Sequence, residues 1–209
     1  MPRKQPIESL YSPHPSIALV QKWIAALPDK TGRTLEEWLQ LVRESGPATE
    51  KERREWLKAE YNLGTNAAWW IAERAEGKGT EGDSPEAYLR AAVEYVEAMF
   101  SGSKAGLRPI YEALLRLAKP LGRDVKACPC KTIVPLYRKH VFAEIKPTTR
   151  TRIDLGLALG DAALSGGRLV ETGGAARGDR ITHRIPITGL AEIDDEVKRW
   201  LKVAYELNR

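Results

Sequence analysis

Apolar residues recur at helical spacing through the first part of the chain and at every second position in its later part. Ile17, Val20, Ile24 and Leu27 fall on one face of a helix that Ser16 opens and that Pro28 and Gly32 close. Thr34 with Glu37 has the form of a capping box, in which the hydroxyl takes an orphan N–H and the carboxylate reaches back. It precedes a stripe of Leu35, Trp38, Leu41 and Val42, ended by Gly46-Pro47. Thr49 and Glu52 repeat the device ahead of Trp56, Leu57 and Tyr61, with Gly64 as the expected stop. A last short helix starts at Asn66 and carries Trp69 and Trp70. Five of the six tryptophans lie in these first 77 residues, where large aromatics let a small core bury enough area.

The stretch GKGTEGDSP, Gly77 to Pro85, has loop composition. Pro85 then starts a helix with Leu89, Ala92, Val93, Val96, Met99 and Phe100 on one face. A second helix holds Leu107, Ile110, Tyr111, Leu114, Leu115 and Ala118 in phase. Beyond it the period becomes two. Residues Ile133–Tyr137, Val141–Lys146 and Thr151–Leu157 read as a meander, followed by a short strand at Arg168–Glu171 and a last strand through Ile181, His183, Ile185 and Ile187. A closing helix spans Leu190–Leu207. The expected fold class is α+β: a small all-helical domain over residues 1–77, a linker at 78–85, and a two-layer α+β domain with an antiparallel sheet over 86–209.

Charge changes this picture by its distribution. Residues 1–77 hold 11 Lys and Arg against 11 Asp and Glu, whereas residues 104–190 hold 16 against 7. A basic field confined to one half points to a polyanionic partner such as nucleic acid, or to a solubility charge. No apolar run reaches the length of a membrane span, and the N-terminal stretch lacks the pattern of a secretory signal, so a cytoplasmic location without membrane association is expected. Cys128 and Cys130 are the only cysteines and lack zinc-site spacing. No phosphate-binding glycine loop, nucleophile-elbow serine motif or helical zinc motif occurs, and three histidines supply a metal site poorly. The expectation is therefore a binding protein with no cofactor, no metal and no catalytic residues.

Two bacterial families share motifs with the chain. KTGRTLEEWLQLV (Lys30–Val42) and KERREWLKAEYNLGTNAA (Lys51–Ala68) resemble the helical domain of unknown function family 4287. The chain departs from that family's frequent histidines near Glu50 and Thr65, so no histidine chemistry is carried over. IYEALL (Ile110–Leu115), KTIVPLYRKHVFAEIKPTTRTRIDLGL (Lys131–Leu157), GGRLVE (Gly166–Glu171) and THRIPI (Thr182–Ile187) resemble family 5655. More loosely, this half is similar to YjbR-like and iron-chaperone-like α+β domains, some described as DNA-binding and others as frataxin-like. The resemblance implies the two-domain architecture and no defined activity.

Within the sheet, strict alternation sends Phe142, Glu144 and Lys146 to one face and Val141, Ala143 and Ile145 to the other. Arg152 with Asp154, and Arg180 with Thr182 and Arg184, then join the solvent face. Phe142 among Lys146, Arg152 and Arg184 is how single-stranded nucleic acid is often held, by stacking plus phosphate charge. The plainer alternative is a solvated face whose acids pair with neighbouring cations. His183 is in phase with Ile181, Ile185 and Ile187, which puts an imidazole inward; with Tyr137 it is the candidate lining of a pocket under the sheet, and the alternative to the polyanion reading is a small-ligand binder or an enzyme built on that pocket. Glu144-x-Lys146 with Asp124 upstream echoes metal-dependent nucleases, a pattern any polar strand yields by chance. A helix-turn-helix laid on Trp56–Glu73 lacks a basic stripe, and the tryptophan-rich helices are an alternative docking surface for a protein partner.

Overall fold

The computed structural model describes residues 10–160 and 167–209; the stretch 1–9 and Gly166 of the GGRLVE match lie outside the described residues. Four helices form from the patterns above: α1 (Ser16–Thr31), α2 (Leu35–Ser45), α3 (Glu50–Tyr61) and α4 (Thr65–Ala75). Both capping boxes are made. The Thr34 and Thr49 hydroxyls accept from the backbone N–H of Glu37 and Glu52, whose carboxylates accept in return. Pro28 lies inside the last turns of α1, where one lost hydrogen bond is tolerated, and Gly32 takes the left-handed cap. Gly64 is not the cap of α3. Asn62 adopts that left-handed conformation, and Gly64 instead precedes α4.

These helices enclose Leu27, Leu35, Trp38, Val42, Leu57, Leu63, Ala68, Ile71 and Ala72. Trp38 and Trp56 both meet Tyr61 edge-on, at 5.3 and 5.1 Å between ring centres. The Trp38 indole N–H donates to the Thr31 hydroxyl at 2.9 Å, so the buried ring keeps its polar end satisfied. This unit comprises Pro13–Tyr88. The stretch expected as linker contains a 3-10 turn, Thr80–Gly82, and Asp83, which accepts from the buried Arg74 guanidinium at 3.0 Å.

Among the described residues the second compact unit comprises 10–12 together with 89–160 and 167–209. It contains most of α5 (Pro85–Met99), a 3-10 segment at Gly102–Leu107, and α6 (Arg108–Ala118). The strands follow: β1 (Lys126–Ala127), β2 (Val134–Tyr137), β3 (Val141–Pro147), β4 (Ile153–Leu157), β5 (Val170–Glu171) and β6 (His183–Ile187). They build one antiparallel sheet in the order β1-β2-β3-β4-β6-β5. Helix α7 (Asp195–Leu207) packs on β3 and β4. Asp194 caps it by accepting from the N–H groups of Glu196 and Val197. The fold is α+β: an all-helical N-terminal part followed by a two-layer helix-on-sheet domain.

Period two dictates what the helix layer covers. Ile145, Leu155 and Ile185 form one register row, Pro147, Ile153 and Ile187 another, and Ala143, Leu157 and His183 a third. All the aliphatic members are fully buried, against Val197, Trp200 and Leu201 as the buried face of α7. Each large aliphatic side chain so buried contributes about 1.5–3 kcal/mol. The intervening rows, Glu144 with Gly156 and Arg184, and Lys146 with Asp154 and Pro186, point to the other face.

Candidate functional site

The open face of the sheet owes its shape to a break in register. Leu136 pairs with Ala143 but Tyr137 pairs with Val141, which leaves Phe142 as an extra residue on β3. Such a bulge shifts the alternation of the side chains beyond it. Phe142 therefore turns to the helix side, 0% exposed, with its ring edge-on to Tyr205 of α7 at 5.6 Å. Val141 takes the outward place instead and lines the open face with Glu144 and Lys146. This corrects the expectation for Phe142. It is a core residue and presents no ring for a base to stack on.

Gly156 sets the floor. A Cβ there would meet the Glu144 Cγ at 2.6 Å and the Ile181 Cγ2 at 2.8 Å. The missing side chain lets Glu144 lie across β4 against Ile181. Burial pushes the Glu144 carboxyl above the usual carboxylate range; Lys146 opposes that shift and Asp179 adds to it. Among the described residues, Glu144, Lys146 and Arg180 make no ion pair and no side-chain hydrogen bond.

Asp154 is the opposite case. Its side chain is only 11% exposed and accepts from the Arg184 guanidinium at 3.0 Å and the Thr148 hydroxyl at 2.8 Å. The Arg152 Nε stands 3.0 Å from the same carboxylate. Two of the cations expected to be free for phosphate, Arg152 and Arg184, are thus both held by one acid, which offsets one of their two charges. Lys146, directly opposite Asp154 in the register, remains exposed.

The segment between β5 and β6 walls the site. Thr172 closes it at its base, its hydroxyl donating to the Ile181 carbonyl at 2.8 Å and accepting from the Gly174 N–H at 3.1 Å. A Cβ on Gly174 would sit 2.3 Å from that same carbonyl, so the turn needs glycine there. Arg177 donates to Asp179 at 3.0 Å within the loop. Together the sheet and loop enclose a groove of about 620 Å³. Its lining holds four cations (Lys146, Arg177, Arg180, Arg184) and four carboxyls (Glu144, Asp154, Glu171, Asp179).

His183 and Tyr137 do not share a pocket. Strands β3 and β4 stand between them, three inter-strand spacings or roughly 14 Å apart. The space under the sheet is filled by the aliphatic core, and neither residue lines the groove. The Thr182 hydroxyl accepts from the N–H groups of Leu159 and Gly160, so its own proton goes to the His183 Nδ1 at 2.9 Å. Thr182 thereby pins the chain just after β4, and the imidazole accepts the hydroxyl's remaining proton. Tyr137 is half-buried at the end of β2, and burial pushes its hydroxyl up.

Asp124 is not brought to Glu144. It accepts from Arg138 and from the Tyr205 hydroxyl, each at 2.7 Å, and those bonds hold its carboxyl below the usual range. The acid beside Lys146 is Asp154, whose oxygens are already engaged by two guanidiniums and a hydroxyl. Among the described residues no three of His, Cys, Asp and Glu come together as a metal would need. Burial raises the Cys128 thiol to about 12 and Cys130 in the same direction, which makes both poor nucleophiles. Sequence reading missed Gly156, Thr148 and the Thr172–Ile181 wall. A lone glycine inside a strand pattern was the available signal for the first.

The family model described as Domain of unknown function (DUF5655) matches residues 96–208, more than half of the chain. The chain belongs to that family. The DUF5655 region contains the whole sheet and every residue of the groove. A second model, Domain of unknown function (DUF4287), matches residues 20–77 in the helical part. No curated protein and no solved structure matches the chain. Among the described residues no helix is long and apolar enough to cross a membrane.

Proposed function

We propose that the DUF5655 domain binds a small polar molecule carrying both an acidic and a basic group, in the groove between the sheet and the Thr172–Ile181 loop, without chemistry on it. One observation carries this reading: a cleft of about 620 Å³ lined by equal numbers of cations and carboxyls, with Glu144, Lys146 and Arg180 left without partners among the described residues. Unpaired charged groups converging in a cleft are the usual sign of a binding site. Balanced signs select a ligand that presents both signs. Such a ligand would donate to Glu144 and accept from Lys146 on β3, and would accept from Arg184 two strands away. Rows Glu144–Gly156–Arg184 span two strand spacings, roughly 10 Å, the length of a metabolite.

The nucleic-acid reading retains one observation, the surplus of cations in residues 104–190. It has lost its stacking ring, since Phe142 is buried, and Arg152 and Arg184 are engaged by Asp154. Among the described residues of the helical domain the exposed large apolar side chains are Leu19 and Trp69, scattered singly as on an ordinary surface.

The experiment is a thermal-shift screen of the full chain against defined amino acids, amino sugars and small dicarboxylates, repeated with Arg184→Ala. The expected result is stabilisation by one compound class that carries both signs, lost in the variant. Equal response of wild type and Arg184→Ala to every compound would remove the groove as the site. A labelled oligonucleotide whose log affinity falls steeply and linearly with log salt would restore the polyanion reading.

A further inference from the structure

A second depression adjoins the groove and shares Lys146 and Thr148 with it. It measures about 390 Å³ and differs in charge. Lys104, Lys131 and Lys146 line it together with Ser103, Thr132 and Thr148, and no carboxyl does. The three ammoniums come from three separate parts of the chain: the 3-10 segment after α5, the stretch before β2, and β3.

The lysines are not there to satisfy the end of α5. The Val96 carbonyl already accepts from the Phe100 N–H, and the Ala98 carbonyl from the Ser101 N–H and hydroxyl. Among the described residues the Lys104 Nζ makes one hydrogen bond, donating to the Pro147 carbonyl at 2.6 Å, which uses one of its three N–H donors. Lys131 stands 6.0 Å from the Tyr95 ring centre. Lys146 makes no ion pair among the described residues. A single carboxylate would be matched by one or two such groups. Three ammoniums beside hydroxyl donors match a tetrahedral dianion with three acceptor oxygens.

We infer that this pocket receives a phosphoryl group, and that the molecule in the adjoining groove is a small phosphate monoester. The inference rests on the groove reading for the rest of the ligand, but the phosphoryl pocket stands on its own lining. Lys146 and Thr148 are the hinge between the two, so the phosphoryl group sits beside Lys146 and its organic part extends over Gly156 toward Arg184.

The test is an amide-resolved NMR titration of the full chain, with inorganic phosphate first and then an amino-sugar phosphate. It uses wild type, the double variant Lys104→Ala/Lys131→Ala, and Arg184→Ala. Phosphate is expected to shift amides at residues 98–104, 131–132 and 146–148, with affinity weakened at least tenfold in the double variant. The sugar phosphate is expected to bind at least tenfold tighter than phosphate and to lose that increment in Arg184→Ala. Absence of phosphate shifts at these residues, or shifts that persist undiminished in the double variant, overturns the inference even where unphosphorylated compounds occupy the groove. Phosphate binding of the expected kind with no gain from the organic part supports the pocket and overturns the groove. Circular dichroism of each variant checks that it is folded.

Discussion

On the helix-facing side of the sheet, Phe142, Ile145, Ile153, Leu155 and Ile185 are all fully buried among their own kind. On the opposite side, one residue along each strand, Glu144, Lys146, Asp154 and Arg184 stand in a groove with their charges partly unmatched. The same alternating backbone serves both. The covered side is redundant, since many aliphatic contacts share the stabilisation. The open side depends on single positions: one glycine that makes room, one acid that fixes two arginines, one carboxyl held out of water. A face held by single contacts is cheap to disturb locally and is where binding groups are kept available.

The sharpest way to separate the two sides is Phe142→Ala. If Phe142 is core, as its contact with Tyr205 indicates, the variant loses about 3–5 kcal/mol in chemical denaturation. A loss within about 0.5 kcal/mol would return Phe142 to the surface. Asp154→Ala comes next. It strips the partner from two guanidiniums that still reach solvent, and about 2–3 kcal/mol is expected, with ligand binding lost as Arg184 swings free. Gly156→Ala inserts a Cβ against Glu144 and Ile181 and is expected to cost about 1–2 kcal/mol while weakening binding; an unchanged affinity would mean that Glu144 does not define the groove floor.

The smallest effect concerns Glu144 itself. Its folded pKa is raised, so its favourable contribution is complete below the unfolded carboxylate range and is lost as pH rises from there through the higher folded value. Glu144→Gln keeps the neutral shape. Wild type and variant are therefore expected to melt together well below the carboxylate range, with the variant melting higher at pH 7. Equal melting at both pH values would place Glu144 in ordinary solvent.

The architecture was legible because alternation and capping are local properties. Thr34 with Glu37, and Thr49 with Glu52, announce their helices in four letters each. The outward direction of Lys146, Asp154 and Arg184 could likewise be counted along the strands. What could not be counted was the bulge. VFAEI reads as perfect alternation from Val141, and only the pairing with β2 reveals the extra residue that turns Phe142 inward. The sharing of Asp154 by Arg152 and Arg184 was equally out of reach, because it depends on Thr148, Asp154 and β6 meeting across the register. His183 pairs with Leu157 in the row of the helix-facing side, and its ring accepts from the Thr182 hydroxyl; among the described residues it does not line the groove.

The central claim is that the open face of the sheet, walled by the Thr172–Ile181 loop, is a groove for a small ligand. The most direct test is an amide chemical-shift map of the full chain, titrated with the compound that stabilises it most in the thermal screen. The account predicts saturable shifts at Glu144, Lys146, Asp154, Gly156, Arg184 and through Thr172–Ile181, with Phe142 and residues 13–88 unmoved. Saturable shifts confined to the helical domain, or spread evenly over the exposed cations of residues 104–190, would contradict it.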